Sequence, residues 1–161
     1  PEGTVGATSA VATKAGFAEG IKGHSKLKIV QTQSGDFTRA KGKEVMEAFL
    51  KSTKAEGIKI DALFSHSDDM GIGAMQAIEE AGLKPGKDIV IVGIDGVKGA
   101  FEAMIAGKQA ATVENPVDYA KPLIQVIRDY QAKKPIPPWV KLKNTVYPAE
   151  VAARELPNRL Y

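Results

Sequence analysis

The stretch Ala81-Gly82-Leu83-Lys84-Pro85-Gly86-Lys87-Asp88-Ile89-Val90-Ile91-Val92-Gly93-Ile94-Asp95-Gly96 decides the fold. Gly82 stops a helix and Pro85 forbids its resumption. The run from Ile89 to Ile94 is apolar at odd and even positions alike, the pattern of a strand buried on both faces of a parallel sheet. Four further runs read as strands: Leu27 to Val30, Ile60 to Phe64, Ala110 to Val113 and Val140 to Val146. Between them, apolar residues recur at helical spacing. Val45, Met46, Phe49 and Leu50 form one stripe, Met70, Ala74, Ala77, Ile78 and Ala81 a second, and Ala120, Leu123, Ile124, Ile127 and Tyr130 a third. Ser9 to Ile21, with Val11 and Phe17, and a short segment around Phe101, Met104 and Ile105 complete the helices. Ser67-Asp68-Asp69 places a capping hydroxyl and two acids at a helix start, and Lys134-Pro135-Ile136-Pro137-Pro138 is an extended linker. The alternation predicts an α/β fold of three layers, α/β/α, with a mainly parallel sheet between helices.

Composition is consistent with this. The chain has 161 residues, 43% of them hydrophobic, and a net charge of +3. An apolar fraction this high with so little net charge excludes a disordered chain, and the length suits one α/β domain. The absence of Cys excludes disulfides, thiolate metal sites and cysteine nucleophiles, and is compatible with reducing and oxidising compartments alike. Charges of both signs are interspersed, without the basic face that nucleic acid requires. No apolar run approaches the ~18 residues of a membrane span. The chain opens Pro1-Glu2-Gly3 without Met, so a processed or trimmed segment is expected upstream.

In open parallel sheets ligands bind beyond the C-terminal ends of the strands. That rule selects Gln33 to Phe37, His66 to Asp68, Asp95 to Val97, and Glu114 with Asn115. Enzymatic motifs fail there. In Gly71-Ile72-Gly73-Ala74-Met75-Gln76 the third Gly of a dinucleotide fingerprint is replaced by Gln76, and the glycines lie inside a helical stripe, where they permit close packing. His66 has no His partner at ligand spacing and reads as structural or ligand-contacting rather than catalytic. Asp68 and Asp69 diverge by about 100° on a helix and cannot face one another as a catalytic pair. Asp95 sits on the rim directly after the most buried strand. It reads either as a carboxylate that accepts ligand hydroxyls or as an Asp that fixes its own turn with Gly96. Phe37, in Gly35-Asp36-Phe37-Thr38, reads either as a cover for an apolar ring face or as a staple for the next helix.

At these same loops the chain resembles the periplasmic sugar-binding proteins of ABC transporters, the ribose-binding-like type I class, and within it the galactofuranose-binding branch. The resemblance is carried by Gly3-Thr4-Val5-Gly6-Ala7 with Gly16-Phe17 and by Gln33-Ser34-Gly35-Asp36-Phe37-Thr38-Arg39-Ala40-Lys41-Gly42-Lys43-Glu44. It continues through His66-Ser67-Asp68-Asp69-Met70-Gly71-Ile72-Gly73-Ala74, Gly93-Ile94-Asp95-Gly96 and Ala111-Thr112-Val113-Glu114. It implies that residues 1–161 are the C-terminal ligand-binding domain of a two-domain solute-binding protein, with the N-terminal domain and the first strand upstream of Pro1. The implied partners are a monosaccharide held between the domains, the ABC permease membrane subunits and the N-terminal domain, with no nucleic acid and no cofactor. The implied location is periplasmic, with a signal peptide upstream. Carried over by position, Phe37 resembles the family's ring-stacking aromatic and Asp95 its hydroxyl-binding carboxylate. Ser67 stands where ribose binders carry Asn, beside a retained Asp68, and Asn115 where the family has an amide or acid near the hinge. The family's Arg in the first helix is replaced by the run Val11-Ala12-Thr13-Lys14, and Lys is no equivalent of a guanidinium fork. Arg39 is a candidate substitute. Two other functions share the fold: the effector-binding core of a LacI-type regulator, which a helix-turn-helix upstream would reveal, and a small α/β enzyme, for which no nucleophile-base motif is present.

Overall fold

A computed structural model describes residues 1–159 and 161. Helices α1 (Thr8–Gly20), α2 (Arg39–Glu56), α3 (Asp68–Glu80), α4 (Lys98–Ile105) and α5 (Ala120–Gln131) alternate with strands β1 (Ala62–Phe64), β2 (Val90–Asp95) and β3 (Ala111–Glu114). Strand β4 (Val146–Pro148) and the short helix α6 (Ala152–Glu155) follow. The sheet order is β1-β2-β3-β4, the first three parallel and β4 antiparallel to β3. This is the α/β fold with a mostly parallel sheet that the sequence predicts, and it brings the C-terminal ends of β1, β2 and β3 to one edge.

The helices form where caps and apolar spacing direct. Thr38 Oγ1 accepts the Lys41 N–H at 3.3 Å to start α2, and Gly57, at φ 68°, ends it. Ser67 Oγ accepts the Met70 N–H at 3.2 Å to start α3. Val45, Met46 and Phe49 of α2 meet Ala74, Ala77 and Ile78 of α3, and both helices cover Leu63 and Ile91 of the sheet. Two glycines set how closely the helices approach. A Cβ on Gly73 would stand 2.0 Å from the Arg39 carbonyl oxygen, and one on Gly42 2.3 Å from the Met70 carbonyl oxygen. The packing role expected of the glycine pair thus falls on Gly73, since a Cβ on Gly71 would meet only ordinary contacts, the nearest at 3.6 Å. On the opposite face of β1, Phe17 of α1 stacks on Phe64, with ring centroids 4.3 Å apart. A second cluster joins Phe101 and Met104 of α4 to Ala152.

Three expectations need correction. Leu27 to Val30 forms no strand, and Leu27 and Ile29 are more than half exposed. Backbone pairing begins only at Gln33, whose carbonyl accepts the Glu2 N–H, while Gly35 N–H donates to the Glu2 carbonyl. A strand needs a neighbouring backbone, and Pro1 to Gly3 supplies one only at this end. The terminal strand is confined to Val146–Pro148. Residues 140–145 carry no strand, and only Thr145 and Asn144 are tied to the end of β3, the Thr145 carbonyl accepting the Glu114 N–H and the Asn144 amide donating to the Glu114 carbonyl. Strand β2 is also less covered than its composition suggests: Ile91 and Gly93 are buried, whereas Val90 on the other face is 43% exposed. Helix α5 has its apolar stripe as predicted, yet buries none of its residues.

Candidate functional site

The site is built on the C-terminal edge of the sheet, where Asp95 ends β2 at a φ of 119°. That region is nearly exclusive to glycine and costs a side-chain-bearing residue ~1–3 kcal/mol. The carboxylate is partly buried at the rim. Burial, followed by the charges of Asp68 and Asp69, pushes its pKa up to about 6. The nearby Asn115 amide and Asp68 N–H pull in the opposite direction. Asn115 is tied to Asp95 through its backbone, its N–H donating to the Asp95 carbonyl at 3.2 Å. The pair meets because Asp95 and Glu114 are register partners, which brings Asn115 over the end of β2.

Asp68 is placed differently from the expectation that it touches ligand. It is fully buried, and both carboxylate oxygens are engaged from within the protein. Oδ2 accepts from the Gly96 N–H at 2.8 Å, the Val97 N–H at 3.3 Å and the Thr112 hydroxyl at 2.7 Å, and Oδ1 accepts from Gln109 Nε2 at 3.0 Å. Burial raises its pKa, with those four hydrogen bonds opposing. Asp68 thus has no accessible surface and takes four donors from within the chain. Ser67 is likewise buried, and its hydroxyl serves as the α3 cap.

Phe37 stands at the end of a strained arm. Asp36 and Phe37 are both left-handed, at φ 53° and 57°, a rare conformation for an aromatic residue. Thr4 donates to Asp36, Ser34 donates to the Gly3 carbonyl, and the Asp36 N–H returns a bond to Ser34 Oγ. The ring rests on the backbone of Gly3, where a Cβ would stand 1.9 Å from the ring tip. Gly3 in turn donates its N–H to His66 Nδ1 at 3.3 Å, leaving the imidazole proton on Nε2. Burial lowers the pKa of His66, and the ring lies edge-on to Phe64, so it is a structural histidine.

Arg39 is paired with Asp69 at 2.5 Å, and Lys14 with Glu2 at 2.9 Å. Two polar groups at this edge escape local sequence reading. Gln109 and Thr112 are nearly or fully buried, and they reach Asp68 across more than forty residues of chain. Glu114 accepts from Arg159 at 2.7 Å, and the Arg159 guanidinium lies 4.9 Å from the Phe101 ring centroid and 4.7 Å from that of Tyr147. No sequence signal foretells either network, because only the sheet register assembles them.

Asp95 and Asn115 thus meet at the C-terminal edge of a mostly parallel sheet, and Phe37 precedes α2 in a loop seated on Gly3. Residues 1–135 match the periplasmic binding protein domain, and the chain belongs to that family. It is 47% identical over 156 residues to the galactofuranose-binding protein YtfQ of Escherichia coli (strain K12), covering 96% of this chain and 49% of that protein. It is 38% identical over 112 residues to the ribose import binding protein RbsB of Bacillus subtilis (strain 168), covering 70% and 33%. Among solved structures, it superposes with a TM-score of 0.92 and 46% identity on the periplasmic binding protein component of the arabinose ABC transporter from Shewanella sp. ANA-3, bound to α- and β-L-arabinofuranose. That match covers 99% of this chain and 52% of the other. The chain therefore spans about half the length of these relatives or less.

Proposed function

We propose that this chain is the C-terminal domain of the substrate-binding component of an ABC sugar importer, holding a monosaccharide between two domains and delivering it to the permease. The observation that carries the reading is the partly buried carboxylate of Asp95 at the end of β2, with Asn115 tied to the same residue through its backbone and the pKa pushed up to about 6 chiefly by burial. Such a group gains most from hydroxyl donors that replace lost water. Phe37, seated on Gly3, offers a ring face to the apolar side of a sugar. Ser67 shapes the edge between them as the α3 cap, and Asp68 acts from behind.

The names of the relatives support a monosaccharide ligand and a periplasmic location, and an upstream signal peptide belongs to the same proposal. Two features favour an N-terminal domain as the intramolecular partner. Pro1 to Gly3 inserts between Gln33 and His66, with the His66 N–H donating to the Pro1 carbonyl, while Leu27 and Ile29, earlier on the Gln33 segment, are more than half exposed. The other is the apolar stripe of α5, with Leu123, Ile124 and Ile127 about half exposed.

Titrating the full-length protein and the 161-residue chain with L-arabinose, D-galactose and D-ribose tests the proposal. Tight binding by the former and weak or absent binding by the latter is expected, because one wall supplies only part of the contacts. Equal affinities would sink the shared cleft. Turnover of a sugar phosphate, lost in Asp95→Asn, would favour an enzyme instead.

A further inference from the structure

We infer that Asp68 is a positioning residue for the binding site: a buried carboxylate, untouched by ligand, that holds the Asp95-Gly96-Val97 turn in the conformation presenting Asp95. The inference rests on the sugar-binding reading of Asp95.

Asp95 occupies a backbone region that its own side chain disfavours, so something outside the residue must hold it there. The two residues that follow donate consecutive backbone N–H groups, from Gly96 and Val97, to one oxygen of Asp68. The Thr112 hydroxyl donates to the same oxygen and accepts from Gly96 N–H at 3.2 Å, so β3 is joined to the turn at the same point. One residue at the start of α3 thus ties β2, β3 and the rim together.

The clamp is retained at a cost. Gln109 donates its single amide nitrogen to Asp68 Oδ1 and to the Ala111 carbonyl, both at 3.0 Å, and its Oε1 is buried without a partner among the described residues. Flipping the amide would turn Oε1 toward two acceptors, so the orphan atom is the consequence of serving the carboxylate. An unsatisfied buried acceptor costs ~1–3 kcal/mol. The sheet also yields space, since a Cβ on Gly93 would stand 2.0 Å from Asp68 Oδ1. Gly93 faces the helices and Asp95 lies two residues further along the same strand, so Gly93 permits the clamp without being part of the rim.

The test is a double-variant cycle in the full-length protein, with L-arabinose, D-galactose and D-ribose titrated calorimetrically. Asp68→Asn leaves one acceptor oxygen in place of two and sets a donor against Gln109. It is expected to weaken binding of the preferred sugar at least tenfold while the protein stays folded by circular dichroism. Asp95→Asn is expected to weaken binding too, and the double variant to bind no worse than Asp95→Asn alone. Gly93→Ala, which displaces the Asp68 carboxylate but leaves its charge, supplies a second route should Asp68→Asn unfold, and is expected to weaken binding in the same way. Carboxyl 13C titration of Asp95 in Gly93→Ala, which keeps the Asp68 charge, should move away from the wild-type midpoint as the turn is released, a readout that a purely structural role would leave in place. Wild-type affinity in both Asp68→Asn and Gly93→Ala, or losses that add fully to that of Asp95→Asn, overturn the clamp. Wild-type affinity in Asp95→Asn overturns the sugar-binding reading itself and the clamp with it.

Discussion

Replacing Asp95 by Asn should stabilise the fold at neutral pH and cease to do so in acid. The folded carboxyl titrates at about 6 against an ordinary 3.8, chiefly because it is partly buried and faces Asp68 and Asp69. A folded pKa above the unfolded one means that the folded state binds the proton more tightly. The contribution to stability is therefore fully present below pH ~4 and is lost as pH rises through about 6. Two units at about 1.4 kcal/mol each set an upper bound of about 3 kcal/mol, and water at the rim screens part of it, leaving ~1–2 kcal/mol. Asn tolerates positive φ about as well as Asp, so the backbone strain stays equal in both proteins and cancels. Urea denaturation followed by circular dichroism, from pH ~4 to ~8, measures the difference. A gain that appears between pH ~4 and ~6 and then levels off supports the reasoning. A gain independent of pH, or one that shrinks as pH rises, refutes it.

Gly73→Ala drives a methyl group into the Arg39 carbonyl, a backbone atom that cannot step aside. Calorimetry should show a loss of about 1–3 kcal/mol, whereas Gly71→Ala should be neutral or slightly stabilising through helix propensity. Arg159→Lys keeps a charge near Glu114 but removes the planar group between Phe101 and Tyr147, so thermal melting should show ~1–2 kcal/mol of destabilisation. Gly3→Ala pushes the Phe37 ring from its seat. Sugar affinity of the full-length protein should fall by more than its stability, and equal affinity would remove Phe37 from the site.

The parts of the fold legible in the sequence are those whose causes are local. Helix α3 announces itself through Ser67 and its apolar stripe, and α2 through the stripe of Val45, Met46, Phe49 and Leu50. Strand β2 is legible because six consecutive residues agree, and the rim position of Asp95 follows from where β2 stops. What is not legible depends on distant backbone. Leu27 to Val30 has strand composition but no neighbour to bond, and the antiparallel sense of β4 comes from its route back along β3. Within the site, Phe37 is visible as an aromatic, but its left-handed backbone depends on Thr4 and Ser34. Asp68 reads locally as a helix-start acid or a ligand contact. Its actual office is set by Gln109 and Thr112, which the register alone delivers.

Asp68 and Asp95 show how one residue type takes opposite roles at one sheet edge. A carboxylate has about four lone-pair sites. Asp68 fills four from Gly96, Val97, Thr112 and Gln109, so it is spent on the fold. The Asp95 carboxylate is only partly buried at the rim, so it keeps acceptor sites open there. On the proposed sugar-binding reading, open acceptor sites on one carboxylate would match two neighbouring hydroxyls on a sugar ring, the geometry of a vicinal diol. Binding such a diol would return donors that burial removed, favour the ionised form, and so lower the Asp95 pKa. By reciprocity, protonating Asp95 would then weaken sugar binding, and affinity should decline as pH falls below about 6. A sugar whose hydroxyls at that position are methylated would lose both the affinity and its pH dependence.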